Sequence, residues 1–325
     1  MRNYVIRRVL LLIPTLVVVT FALFVVVDLI PGDIIDSIMA QDPEQKVDRA
    51  TLEREMGLDA PIIIQYGRWV GVVPQMDSSL SGVLQGNLGN SWVRANSVAG
   101  LLGMSWPVTF ELGLMAIIVA QLIALPIGIY SALRQDTAGD YIGRTFAILC
   151  ISIPGFWLGT MVILLPAIWW SYMPPIMLIH FTEDPIGNLG MFIIPAIVMG
   201  MAMSGLTMRM TRTMMLEVQR QDYIRTAWAK GLRERVVVLR HSLKNALIPV
   251  ITIVGLQMPV LIGGTVIIEQ IFSLPGMGRL ALNALLLRDE PVVRGVTLIL
   301  SVALMLINLL VDLTYAYLDP RVQYK

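Results

Sequence analysis

Cysteine is almost absent from this chain of 325 residues: Cys150 stands alone, so no internal disulfide can form. Histidine is nearly as scarce. With only His180 and His241, a zinc cluster or a Ser-His hydrolase site has almost nothing to be built from. The chain has no HExxH sequence and no plausible Ser-His pair, which disfavours an intramembrane hydrolase. It also lacks GxxxxGK[ST] and contains no Gly-Lys dipeptide, so the usual phosphate loop is missing. The turn Gly276-Met277-Gly278 has no following strand and helix, and is not read as a nucleotide site. Charge is sparse: 14% of residues, against roughly 25% in soluble proteins. The net charge of +1 gives no general affinity for nucleic acid. No repeat of a solenoid or propeller kind is evident.

What is abundant is apolar. Hydrophobic residues make up 56% of the chain, with 20 methionines and seven tryptophans. Such a composition leaves too few charges to cover a water-facing surface. It suits helices in lipid, where thioethers fill gaps and indoles sit at the boundary. The fold expected is therefore all-α and polytopic.

A bilayer core about 30 Å thick requires roughly 20 mostly apolar residues per helix. Six stretches qualify: Val9–Ile30, Trp106–Leu133, Arg144–Tyr172, Leu189–Met208, Ala246–Phe272 and Val293–Leu318. None shows the short alternation of a membrane β-barrel. The first is read as a retained helix rather than a signal peptide, because its apolar run is long and Pro31-Gly32-Asp33 follows it. With both termini in the cytoplasm, 16 of the 24 Lys and Arg residues fall inside. The organisation expected is 1–30 as N-terminus and first helix, 31–104 as a long external segment, and 105–325 as a five-helix core. The external segment holds nine carboxylates against five basic residues and is expected to be ordered. Helical patterning runs over Glu44–Met56, and a Gly/Asn-rich stretch covers Gly86–Asn90.

The loop 209–245, between the fourth and fifth helices, carries nine basic residues. From Asp222, helical spacing puts Ile224, Ala227 and Trp228 on one face. Gly231 follows where a helix end favours a residue tolerant of positive φ. A second stripe follows at Leu232, Val236, Leu239 and Leu243. Two short amphipathic helices broken at a glycine form a bent element able to project from the membrane. A basic loop lying on anionic headgroups would account for the charge alone.

The run Asp222–Leu232 (DYIRTAWAKGL), followed by RHSLKNALIP ending at Pro249, resembles the coupling loop of ABC importer permeases. More narrowly, the chain resembles the first (B-type) permease subunit of the dipeptide/oligopeptide/nickel importer family. The likeness extends through RRVLLLIPTL (Arg7–Leu16), GLDAPIIIQYGRWV (Gly57–Val70), GNLGNSW (Gly86–Trp92), SIPGFWLG (Ser152–Gly159), IFSLPGMGRL (Ile271–Leu280) and LVDLTYAYLDPR (Leu310–Arg321). Two departures stand out. Arg225-Thr226-Ala227 replaces the Glu-Ala-Ala of the general permease motif, as in the peptide/nickel branch, and Lys244 stands where some relatives have proline.

The resemblance implies a mechanical role. The loop would dock on a cytoplasmic ATPase through Asp222, Tyr223, Arg225, Thr226, Ala227, Lys230, Gly231, Leu232 and Arg233. Ala227 and Gly231 would allow close approach. ATP and magnesium would be held by two partner ATPase subunits, leaving this chain without a cofactor. A second, similar permease would complete the path, with a solute-binding protein docking outside and lipid around the helices. The location implied is a bacterial or archaeal plasma membrane.

Within the spans, Asp28, Glu111, Glu269 and Asp312 all lie within reach of an interface, where snorkelling or pairing explains most such charges. Glu269 is the candidate for an external mouth. Gln257 and Gln121 are deeper and read mainly as cross-helix hydrogen-bonding residues, with Gln257 a further candidate for the path. Pro126, Pro154, Pro166, Pro195 and Pro259 are expected to interrupt spans. The alternative reading is an ion-coupled secondary transporter or channel acting alone, which would usually place a carboxylate or a broken helix at the midplane.

Overall fold

The computed structural model describes residues 2–29, 35, 48–94, 96–171 and 177–318. Expectations that fall on Pro31-Gly32-Asp33, on 44–47 and on Tyr172 lie outside the described residues. The elements are α1 (Arg2–Asp28), α2 (Arg49–Glu55), α3 (Ile62–Val70), α4 (Val98–Leu133), α5 (Ala138–Ser152), α6 (Gly155–Trp170), α7 (Pro185–Gln219) and α8 (Asp222–Ala229). They continue with α9 (Glu234–Val236), a π-helical stretch (Val237–Leu243), α10 (Lys244–Ile271), α11 (Met277–Leu286) and α12 (Glu290–Leu318). Among the described residues the only extended pairing is an isolated bridge between Asn90 and Ser97.

Among the described residues five helices are long and apolar enough to cross a bilayer, and six spans result if the bent pair α5–α6 counts as one. That pair corrects one expectation. Residues Arg144–Tyr172 do not form a continuous helix: α5 and α6 meet at 95°. The cause is local. Pro154 has no N–H to donate, and its ring drives Ile153 into extended backbone (φ −79°, ψ 120°). With 15 and 16 residues, each half is about 22–24 Å long at 1.5 Å per residue, short of a bilayer core. The other prolines, expected to remove a backbone bond and permit a kink, do not end their helices. Pro166, Pro195 and Pro259 sit within helices that continue past them, as does Pro126 in α4. Each removes a single hydrogen bond, which neighbouring helices make tolerable.

Two further boundaries differ from the hydropathy reading. α4 starts at Val98 rather than near Trp106, where Ser97 Oγ accepts from Gly100 N at 3.2 Å and so takes up a donor of the first turn. α7 does not end at Met208 but continues to Gln219. Its 35 residues span about 52 Å, so its last turns lie beyond the apolar window.

The chain divides into two compact units. The first comprises Val108–Leu274 and the chain from Leu306 onward. Here α7 is the hub, packed along α5 and α10. The approach is close because small residues meet: a Cβ on Gly200 would lie 2.9 Å from Ala116 O, and one on Gly205 would lie 2.6 Å from Ala147 O. Ala116, Ala120 and Ala124, four residues apart on α4, are all fully buried. Lipid tails are as apolar as leucine, so helices in a bilayer gain by such backbone-to-backbone packing rather than by expelling water.

The second unit comprises Arg2–Pro107 and Pro275–Met305. Its core gathers Val98, Leu102, Met277, Val292 and Val296. Beside it, Phe21, Phe24, Tyr66 and Trp69 form an aromatic cluster with ring centroids 5.2–6.2 Å apart. Thr20 Oγ1 and the Tyr66 hydroxyl lie 2.9 Å apart, tying α3 to α1. Asp289, almost fully buried, accepts from Trp92 N at 3.0 Å and from Ser91 Oγ. The GNLGNSW stretch is thereby pinned to the residues before α12. Its Gly86 and Gly89 take φ of +78° and +80°.

Substituting Gly200 by valine places three carbons where the backbone of α4 already stands. The expected outcome is destabilisation by about 1–3 kcal/mol, read as a lowered thermal midpoint of the purified protein in detergent. An unchanged midpoint would show that α4 and α7 are not in backbone contact.

Candidate coupling surface

The basic loop is built from four consecutive helical pieces. α7 ends at Gln219, and α8 turns away from it at Arg220 and Gln221. Ile224 and Ala227, three residues apart on α8, are buried against Val237 and the flank of Val218. At its end, Gly231 N donates to Trp228 O at 2.9 Å and Leu232 N to Ala227 O at 3.4 Å, with Gly231 at φ +72°. This pair of bonds is the Schellman closure of a helix, and it requires the left-handed conformation that glycine adopts without strain. A Cβ on Gly231 would meet nothing within 4 Å, so space does not restrict this position. The backbone conformation does.

Two expectations about this loop need correcting. Trp228 does not share the inward face with Ile224 and Ala227; it is 48% exposed. A helix of eight residues buries only the narrow stripe that meets its partner, and Trp228 falls at the edge of that arc. The second stripe also shifts. Leu232, Val236 and Leu239 are exposed, while Val237, Val238 and Ser242 are buried. The segment Val237–Leu243 is π-helical, with bonds running five residues apart, so Val237 and Ser242 share a face that a 3.6-residue period would separate. Leu243 does pack inward, beside Met215, Val238 and Ala246.

Ala227 is turned into the protein, so the surface of the element is made by the other residues singled out. Asp222, Tyr223, Arg225, Thr226, Lys230, Gly231, Leu232 and Arg233 are all exposed. The Tyr223 hydroxyl accepts from Asn245 Nδ2 at 2.8 Å, which ties α8 to the start of α10. Arg225 reaches Asp222 at 3.4 Å, but both side chains are largely solvated and this pair contributes little.

A residue that the sequence did not flag holds the base of this element. Asp140, in the first turn of α5, has a fully buried side chain that receives four donors. Arg212 of α7 grips it with both arms, Nε to Oδ1 at 2.8 Å and Nη2 to Oδ2 at 2.7 Å. Asp136 N donates to Oδ2 at 3.0 Å, and Ser131 Oγ of α4 donates to Oδ1. Three helices are thus joined at one carboxylate. Arg212 was legible only as one of nine basic residues in the loop. The remaining signal in the sequence was an acid placed in a helical first turn beside a polar turn at Gln135–Thr137.

The intramembrane candidates lie elsewhere, all but Asp28 in the first unit. Glu269 has no exposure in this chain, and Thr109 Oγ1 donates to its Oε1 at 2.6 Å. Gln257 bonds across helices, to Met203 O and Thr207 Oγ1, both at 3.4 Å. Both polar atoms of the Gln121 side chain are buried without a partner among the described residues. Glu111 and Asp312 are partly exposed on α4 and α12, and the side chain of Asp28 lies outside what is described. Among the described residues no group of three or more His, Cys, Asp or Glu could hold a metal ion.

Replacing Asp140 by asparagine keeps the shape but leaves the Arg212 guanidinium, 20% exposed, without its counter-charge. A loss of about 2–3 kcal/mol is expected, seen as a lowered thermal midpoint, and a smaller loss for Ser131→Ala. Equal midpoints for wild type and Asp140→Asn would remove the fork as an anchor.

Comparison with known proteins agrees with this architecture. Residues 124–324 match the family described as binding-protein-dependent transport system inner membrane component, and residues 1–113 match its N-terminal counterpart. The chain is 38% identical over 330 residues to the oligopeptide transport system permease protein AppB of Bacillus subtilis (strain 168), with 100% of each covered. It is 36% identical over 328 residues to the glutathione transport system permease protein GsiC of Pectobacterium atrosepticum, again with 100% of each covered. A putative peptide transport system permease protein of Brucella abortus (strain 2308) is 36% identical over 329 residues, also over 100% of both chains. The fold is similar to that in a crystal structure of an amino acid ABC transporter with histidines, at a TM-score of 0.52 and 13% identity, covering 67% of this chain and 94% of that one. With its apolar spans, its basic bent loop and these full-length matches, the chain belongs to the family of inner-membrane components of binding-protein-dependent ABC transport systems.

Proposed function

We propose that this chain forms half of the translocation path of an ABC importer for peptides or similar small solutes, and couples that path to a cytoplasmic ATPase through the α8–Gly231–α9 element. The observation that carries the proposal is the division of labour in that element. Its inward side, Ile224, Ala227 and Val237, is satisfied within the chain. Its outward side offers Arg225, Thr226, Trp228, Lys230, Leu232 and Arg233. A half-exposed tryptophan among arginines is the composition of an interface core with a charged rim, not of an ordinary solvated helix.

In this reading both termini and the basic loop face the cytoplasm, as the positive-inside count favours. ATP and magnesium belong to two partner ATPase subunits. A second, related permease faces this one across the path, and a solute-binding protein delivers cargo from outside. The peptide cargo is carried over from the names of the relatives. Work reaches the helices as follows. Force applied to α8 is passed through Ile224 and Tyr223 to the π-helical stretch and α10, and through α7 to the Asp140–Arg212 fork, so that α5, α7 and α10 move together.

Proline fixes φ near −65°, so Gly231→Pro opposes the observed +72° and undoes the closure. Expected are normal membrane insertion and a loss of about tenfold or more in solute-stimulated ATP turnover by the reconstituted assembly, since each 1.4 kcal/mol lost at the interface is a factor of ten. The milder Gly231→Ala costs about 1–2 kcal/mol of local strain and should give an intermediate value. Wild-type transport by the proline variant would overturn the lever. Reconstituted alone in liposomes, the chain should accumulate nothing; sustained uptake there would favour the ion-coupled alternative.

A further inference from the structure

The second unit contains a cavity of about 490 Å³, within the roughly 300–1,000 Å³ of small-molecule sites. It is walled by α3, by the turns that follow it and by the first turn of α12. Close backbone approaches shape these walls. Gly71 takes φ +92°, and a Cβ on Gly82 would fall 2.5 Å from Gly71 N and 2.7 Å from Trp69 O, so two backbone segments touch where only glycine fits. Side-chain amides stitch the same turns together. Gln75 Nε2 donates to Arg68 O at 3.0 Å, Gln85 Nε2 to Gly71 O at 3.1 Å, and Asn87 Nδ2 to Ser81 Oγ at 2.7 Å.

Two arginines line this cavity, and they are in different electrostatic positions. Arg294 is already engaged: Nη2 donates to Glu290, and the guanidinium lies 3.8 Å over the Phe24 ring. Arg68 is not. Its Nε and Nη1 are shielded from solvent with no hydrogen-bond partner, and no carboxylate among the described residues forms an ion pair with it. The indole Nε1 of Trp69, also lining the cavity, is likewise unpartnered. The one lining carboxylate, Asp77, is exposed and takes its donors from Ser79. Two covered guanidinium donors without an acceptor, beside a third idle donor on Trp69, are an unfinished hydrogen-bond arrangement. Its complement is an anion with planar oxygens. The remaining wall, with Met56, Met76 and Trp92, is apolar and deformable.

We infer that this cavity is a binding site for a small carboxylic acid with an apolar body, whose entry turns the shielded donors of Arg68 and Trp69 Nε1 onto its carboxylate. The site goes beyond the importer reading and needs no ATPase to operate, so its test is independent of the one above.

The purified full chain in lipid nanodiscs is titrated calorimetrically with N-acetyl-leucyl-leucine and, separately, with its C-terminal amide. The acid is expected to bind about tenfold or more tightly than the amide, as charge-assisted pairing with arginine requires. In Arg68→Gln that preference should collapse, and Arg68→Lys should restore part of it. Should Arg68→Gln fail to fold, Trp69→Phe removes one donor while keeping the ring, and is expected to lower acid affinity alone. Equal binding of acid and amide to wild type overturns the inference, as does a preference that survives both substitutions. No binding of either probe overturns it too. That includes the case in which Arg68→Gln weakens capture of the solute-binding protein, for then the cavity receives a protein side chain instead.

Discussion

A single buried carboxylate carries the mechanical integrity of the loop-side end of the bundle. Asp140 cannot stand alone where it is: an unpaired buried charge costs several kcal/mol, far more than one contact returns. It is tolerated because Arg212 meets it with a two-armed fork, while Ser131 and the Asp136 amide occupy its remaining lone pairs. The geometry is demanding. Both oxygens are satisfied only when α4, α5 and α7 stand in one arrangement, so the pair sets position more than it adds stability. Everything further out, including α8 and the turn at Gly231, is supported from α7, which this fork holds, and from the π-helical stretch that leads into α10.

Rigidity elsewhere comes from proximity rather than charge. Gly200 against Ala116 and Gly205 against Ala147 bring helix backbones together with little side chain between them, and Gly255 leaves room for the Val311 side chain. Such contacts resist tilting but allow helices to move as pairs. The 95° corner at Pro154 adds a second kind of constraint. α5 and α6 cannot act as one rod, so movement of α5 with α7 need not drag α6 through the same angle.

Much of this was legible in the residues. The number and rough placement of the apolar helices and the glycine-ended α8 follow from length, hydropathy and turn chemistry. Other readings failed for identifiable reasons. Hydropathy ran through Ile153-Pro154 because both residues are apolar, although the proline ring forbids the helix there. The stripe at Leu232, Val236 and Leu239 assumed a 3.6-residue period, which the π-helical stretch does not keep. Trp228 was placed inward because spacing gives a direction and not the width of the arc that a neighbour covers.

What the sequence by itself determined is whatever depends on neighbours along the chain: which runs suit lipid, where a helix must stop, and which loop carries positive charge. Tertiary structure decided which charges are partners. Asp140 and Arg212 lie 72 residues apart, and nothing local to either names the other. The same holds for Glu269 with Thr109, and for the cavity that leaves Nε and Nη1 of Arg68 without an acceptor. The physical reason is that a charge is stabilised or stranded by what stands within a few ångströms in space, and folding alone fixes that.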